Sequence, residues 1–120
     1  MELVKYKETH EKIAMGLLSF MMAESNPKRL QEIVKLYEVN QDWQLYFWKK
    51  DDDFVGIIGI EVNGQTFAVR HIAVDPSFRN EGIGSLLVEN VQQLHEPMAM
   101  CSTIETRNFL TKCWQRKYSA

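Results

Sequence analysis

Apolar residues recur along this chain with two different periods, and the switches between them lay out its elements. Residues 2–6 (Glu-Leu-Val-Lys-Tyr) alternate weakly and predict an edge strand. Ile13, Leu17, Phe20 and Met21 then recur at helical spacing and predict a helix over residues 10–22, with those side chains turned inward. Met15, Met21 and Met22 make a flexible stripe, read first as filler of core gaps and second as the lining of a ligand site. Ser25-Asn26-Pro27 is a cap followed by proline at the first helical position. The second helix runs to about residue 38, burying Leu30, Ile33, Val34 and Tyr37 and exposing Lys28, Arg29, Glu32, Lys35 and Glu38.

The period then falls to two. Leu45, Tyr46, Phe47 and Trp48 have a strong strand composition. Asp51-Asp52-Asp53 is a polar turn, since neighbouring carboxylates in a turn rarely converge on one ion. Residues 54–62 form a second strand and residues 66–74 a third. Asn63-Gly64 between them signals a hairpin whose two central positions take positive φ. Asp75-Pro76 stops the third strand. A helix starts near Gly82, carries Leu86, Leu87, Val91 and Leu94, and ends before Pro97. Residues 98–103 are a short last strand, and residues 108–115 a last helix with Phe109, Leu110 and Cys113 inward. The expected class is α+β in α/β/α layers. It consists of a twisted, mixed, mostly antiparallel sheet with helices on both faces, one domain over residues 1–120.

Composition narrows the partners. Lys+Arg 14 against Asp+Glu 16 leaves a net charge of −2, which argues against a general nucleic-acid binder, whose affinity rests on phosphate neutralisation. The uncharged apolar run at residues 13–23 is too short to span a bilayer, and the balanced charges before it do not suit a secretory signal. Cys101 and Cys113 lack CxxC spacing and read as reduced, buried thiols of a cytoplasmic protein. No metal site is expected, because no tetrahedral ligand set is grouped together.

Chemistry concentrates in His71-Ile72-Ala73-Val74-Asp75-Pro76-Ser77-Phe78-Arg79-Asn80-Glu81-Gly82-Ile83-Gly84-Ser85-Leu86-Leu87, a strand, a tight loop and a helix start. The first helical turn has unpaired N–H groups and the positive end of the dipole, suited to an anion such as a pyrophosphate. Glycines at 82 and 84 let backbone approach a ligand. Arg79 adds a forked cation. A dinucleotide fingerprint fails because the third glycine is missing and the strand belongs to a hairpin. A phosphate-binding P-loop fails because no Gly-Lys-Ser/Thr follows.

The whole pattern, Ile-x-Val-x-Pro then Arg-x-x-Gly-x-Gly then an apolar helix, resembles the acetyl-CoA site of the GNAT N-acetyltransferase superfamily. The element order agrees over almost the entire chain. Residues 11–21 and Arg70-His71-Ile72 also resemble the RibT-like members encoded with riboflavin-biosynthesis genes. The superfamily resemblance implies acetyl-CoA as cosubstrate and an unidentified small-molecule or protein amine as acceptor. It implies a strand around Ile72, Ala73 and Val74 that splays from the last strand, so that freed backbone groups bond the pantetheine arm. One N–H among those residues would polarise the thioester carbonyl. Arg79, Asn80, Glu81, Gly82, Ile83, Gly84 and Ser85 would surround the pyrophosphate.

Acyl transfer to an amine needs a general base and a general acid. His71 is the candidate base; its alternative is a core position shared with Phe67, Val69 and Ala73, which have its parity. Glu61 and Glu105 are weaker candidates, explained adequately by solvated positions. Many members carry an Asn after the last strand and a Tyr seven residues later; here Thr103 and Leu110 fall at those places. Leu110 cannot donate a proton, and Tyr118 is the remote substitute. Part of the acceptor wall is expected to be absent or supplied by another subunit, and a homodimer through residues 45–48 stays open. The alternative function is a catalytically weak or inactive module that binds acyl-CoA and regulates a partner.

Overall fold

Two hydrophobic layers, one on each face of a single sheet, organise the protein. The computed structural model describes residues 2–22 and 26–118, with side chains for residues 2–21 and 26–112. In chain order the elements are β1 (Glu2–Lys5), α1 (Glu11–Met22), α2 (Pro27–Val39), β2 (Trp43–Lys50), β3 (Asp53–Asn63), β4 (Thr66–Val74), α3 (Ile83–Leu94), β5 (Ala99–Ser102) and α4 (Arg107–Tyr118). The sheet has five strands in the order β1-β2-β3-β4-β5. Neighbours are antiparallel except β4 and β5, which are parallel and joined through α3. The expected α+β layering is therefore present.

The α1/α2 face buries Ala14, Leu17, Leu18, Leu30, Val34, Tyr37, Leu45, Phe47, Ile57 and Ala73. The α3/α4 face buries Tyr46, Ile58, Ile60, Phe67, Val69, Ile72, Leu87, Val91 and Leu110, among others. Asn26 caps α2 through its side chain, which accepts from Lys28 N–H at 3.1 Å, with Pro27 next. Ser25 of the expected cap lies outside the described residues. Asp51, Asp52 and Asp53 are exposed at the β2–β3 turn, as expected of a solvated turn.

Several expectations change in three dimensions. On α1 the buried residues are Ala14, Leu17 and Leu18, while Ile13 and Phe20 are 44% and 43% exposed. α1 packs at once on β4 and α2, so its docking selects which apolar residues face inward. Leu94 is likewise exposed, and Leu86 is partly buried. Residues 45–48 are all buried within the sheet and cannot supply a subunit contact. Cys101 is exposed, because β5 is short and lies at the sheet edge; the side chain of Cys113 lies outside the described residues. In the β3–β4 hairpin, Asn63 pairs with Thr66, so the loop is Gly64–Gln65, one residue further on. Only Gly64 takes positive φ there, at 64°.

The β3–β4 ladder also slips by one residue. Ile60 pairs with Val69 but Gly59 pairs with His71, leaving Arg70 as the extra residue of a bulge. Side chains alternate faces along a strand, so one extra residue inverts the pattern beyond it. Phe67 and Val69 face α3 and α4, whereas Ala73 and His71 face α1 and α2. The parity expected to group His71 with Phe67 and Val69 is broken at that point.

Candidate functional site

The β4–β5 ladder runs from the Thr66–Ala99 pair to the Val69–Ser102 pair and stops. Beyond it the two segments diverge. The carbonyl of Val69 is held at the point of divergence by Thr106 Oγ1 at 2.7 Å and by Thr103 Oγ1 at 3.4 Å. Thr106 Oγ1 also accepts from Thr103 N–H at 3.0 Å and is buried. Thr103 therefore closes the ladder together with Thr106.

From there β4 has a free edge. Asp75 N–H donates to Val55 across the ladder at 2.8 Å. Amides alternate in direction along a strand, so Ala73 N–H points the same way and Ile72 and Val74 N–H point away, toward the free edge. Ile72 N–H accordingly meets Met21 Sδ, at 3.2 Å.

The free edge borders a cleft of about 510 Å³. Of the predicted contact residues, Ile72, Ala73, Val74, Arg79, Asn80, Gly82, Ile83, Gly84 and Ser85 line it. Glu81 does not; its carboxylate pairs with Lys50. Phe20, Met21, Phe78, Glu105, Asn108, Phe109 and Lys112 complete the lining. Met21 was among the residues the sequence offered as either core or ligand lining. The α4 residues were missed, because helical spacing does not show that this helix folds back beside the loop.

The loop is built to leave backbone amides open. Asp75 Oδ1 accepts from Ser77 N–H at 2.9 Å and holds a single 3₁₀ turn at Pro76–Phe78. Asn80 and Gly82 then take positive φ, 68° and 76°. The first bond into α3 is Leu86 N–H to the Gly82 carbonyl, 3.1 Å, and Gly82 has no side chain to cap the turn before it. The amides of Ile83, Gly84 and Ser85 thus precede the first helical bond. The two glycines differ in function. A Cβ on Gly82 would meet open space, so its backbone angle is what requires glycine. A Cβ on Gly84 would overlap the Phe109 ring, so this glycine lets α4 pack against α3. Ser85 Oγ is buried and has no hydrogen-bond partner among the described residues. An orphaned hydroxyl beside open amides fits an oxyanion ligand. Arg79 and Lys112 supply two cations to the same cleft, one more than the sequence led us to expect.

The titratable groups divide differently from expectation. Tyr37 OH hydrogen-bonds His71 Nδ1. It reaches the imidazole across Gly59, where any Cβ would overlap the phenol. Tyr37 and the ring thus fix each other, and Nε2 is the nitrogen left for another partner. Burial, with help from the Arg70 guanidinium, lowers the His71 pKa to about 4. Burial raises that of Tyr37 well above the ordinary phenol value. Glu61 is not merely solvated. It accepts from Arg70 Nε at 2.9 Å, and Arg70 also stacks over the Trp43 ring, 5.4 Å from its centroid. Glu105 is fully exposed at the cleft; hydrogen bonds from its own backbone amide and from Thr103 lower its pKa. Leu110 is wholly buried in the α3/α4 layer and offers nothing to the cleft. The Tyr118 side chain lies outside the described residues. Among the described residues, no group of three His, Cys, Asp or Glu is placed to hold a metal ion, and no helix is long and apolar enough to cross a membrane.

Residues 15–113 match the acetyltransferase (GNAT) family. The chain belongs to that family. It is 41% identical over 112 residues to an uncharacterized N-acetyltransferase in the lysA 3′ region of Bacillus methanolicus, covering 92% of this chain and 93% of that one. Two solved structures share the family fold. One is the apo aminoglycoside 6′-N-acetyltransferase AAC(6′)-IG of Acinetobacter haemolyticus, with a TM-score of 0.74 and 17% identity over 98% of this chain and 88% of that one. The other is the aminoglycoside N-acetyltransferase AAC(6′)-Iy in complex with CoA, with a TM-score of 0.76 and 17% identity over 97% and 84%. In this GNAT-family sheet the fourth strand continues to Val74, past the end of its pairing with the fifth at Ser102.

Proposed function

We propose that the protein is an acetyl-CoA-dependent N-acetyltransferase that passes an acetyl group directly to an amine. One observation carries this reading. The edge-facing amides of Ile72, covered only by the Met21 thioether, and Val74 border the same cleft as the open first turn of α3. The strand edge suits an amide-bearing arm, and the helix start with Ser85, Arg79 and Lys112 suits phosphates. AAC(6′)-Iy, which shares the fold, was solved with CoA and also with a bisubstrate analogue, CoA-S-monomethyl-acetylneamine.

In the reaction, the acceptor nitrogen attacks the thioester carbonyl. A C–N bond forms, the C–S bond breaks, the amine loses a proton and the departing thiolate gains one. Ile72 or Val74 N–H, on the strand edge at the cleft, would stabilise the oxyanion. Ionised Glu105 at the cleft attracts the ammonium form of the acceptor. His71 does not line the cleft; with Nδ1 engaged by Tyr37 and its pKa lowered to about 4, it is a weak base that would take the amine proton at Nε2 through a linking water. No side chain is assigned as general acid, since Leu110 is buried. We place the protein in the cytoplasm on its cysteine usage.

The test couples acetyl-CoA titration with thiol release across small amines, peptides and, following the RibT-like resemblance, flavin-pathway intermediates. CoA release with one acceptor class supports the proposal. Tight binding with no release from any acceptor returns the alternative of an acyl-CoA-binding module. The same preparations, sized in solution, decide between monomer and homodimer.

A further inference from the structure

Met21 stands where two features of the cleft meet. Its side chain lines the cleft, and its Sδ is the acceptor for Ile72 N–H, an amide on the free edge of β4. A thioether is a weak acceptor, so this amide is covered but poorly satisfied. Methionine also has three rotatable side-chain bonds and moves at low cost. Phe20 beside it also lines the cleft and is 43% exposed. One of the two edge amides offered to an acyl oxygen is therefore held by a side chain that can yield it.

We propose that Met21 selects the acyl group in this cleft. Its sulfur caps the Ile72 amide until an acyl carbonyl displaces it, and the displaced side chain then limits the space beyond the carbonyl to a short acyl chain. This deepens the proposed function and rests on its reading of the cleft as an acyl-CoA site. A carbonyl oxygen is the better acceptor, so the exchange favours the acyl group. The exchange concerns acyl-CoA and not free CoA, which has no carbonyl at its sulfur.

CoA, acetyl-CoA and butyryl-CoA are titrated calorimetrically into the wild type, Met21→Leu and Met21→Ala. Leucine keeps the bulk and removes the acceptor; alanine removes both. CoA should bind all three alike. Acetyl-CoA should tighten roughly threefold to tenfold in Met21→Leu, since no sulfur competes for the amide. Butyryl-CoA should tighten by about tenfold or more in Met21→Ala and not in Met21→Leu. The Ile72 amide resonance should shift in Met21→Leu without any ligand. If Met21→Ala does not fold, Met21→Val takes its place with an intermediate volume. Unchanged acyl preferences with CoA still bound overturn the role of Met21 alone. Absence of CoA binding in all three proteins removes the acyl-CoA reading, and this inference with it.

Discussion

The two halves of β4 share one backbone and meet opposite fates. Residues 66–69 are paired on both sides, with β3 and with β5, and the last carbonyl of that half is closed by two threonine hydroxyls. Residues 72–74 are paired with β3 alone, and the Ile72 amide on the other edge has only a thioether. Buried peptide groups without partners cost free energy, so proteins rarely leave them so. A strand that saturates one half and starves the other marks the starved half as the place where an outside partner belongs. The bulge at Arg70 divides the two halves. It inverts the side-chain pattern and sends His71 toward Tyr37 and the α1/α2 face.

The strongest way to break this comparison is to fill the anion end of the open half. Gly82→Asp places a carboxylate before the first turn of α3, where the open amides and both cations favour an anionic ligand. Acetyl-CoA affinity should fall by about a hundredfold or more. The backbone angle at residue 82 makes the folded state less stable by only about 1–2 kcal/mol, since φ is 76°. Calorimetric titration beside thermal melting separates the two; unchanged binding would remove the phosphate assignment.

Acid should sharpen the comparison from the side-chain direction. The folded-state pKa of His71 is lowered from 6.5 to about 4, so the unfolded chain binds the proton more readily between those values. The stability carried by neutral His71 is complete above about pH 6.5 and is lost as pH falls toward 4. The loss is up to roughly 3 kcal/mol. Urea unfolding across this range should show a steeper acid loss for the wild type than for His71→Gln, which keeps an acceptor for Tyr37 and does not titrate. Equal slopes would contradict the buried, neutral imidazole.

Thr106→Val tests the closure of the paired half. It strips a hydrogen bond from the Val69 carbonyl and the acceptor from Thr103 N–H in a buried setting. Stability should drop by about 1–3 kcal/mol, read by urea unfolding. Acetyl-CoA affinity should change less than in Gly82→Asp, because the open amides are untouched. The smallest effect is expected of Lys112→Ala at the cleft wall. A few-fold loss of affinity is expected, on the order of 0.5–1 kcal/mol, and it should shrink at high salt. A salt-independent loss would mean that Lys112 acts through packing.

Much of the architecture was readable in one dimension because local signals are repeated. The 3.6-residue stripes of Leu30, Val34 and Tyr37, the β-rich run at 45–48, and Asn26-Pro27 each state a local preference that the fold obeys. The loop from Arg79 to Ser85 was readable for the same reason: glycines and a helix start are local features. Phe20, assigned to the core stripe of α1, instead lines the cleft, and for Met21 the second of its two readings, ligand lining, holds. Which side of an apolar helix faces inward depends on two neighbours at once, and periodicity describes only the helix.

His71 shows the limit most clearly. Alternation gave it the parity of Phe67 and Val69, but the bulge at Arg70 reverses that parity. The bulge adjoins Gly59, whose missing side chain admits the Tyr37 phenol. Glu61, Arg70 and Trp43 form a cluster for similar reasons, through pairing across strands and not through spacing.

The amino-acid sequence by itself determined the order of elements, the family, and the anion-suited loop before α3. Each of these rests on residues close in the chain, where propensity and turn chemistry act. Only the tertiary structure decided where β4 loses its second partner, which of its amides face the opening, and that Met21, 51 residues away, covers one of them. Those outcomes follow from how strand pairing ends and how helices dock, and both are settled by packing between distant segments.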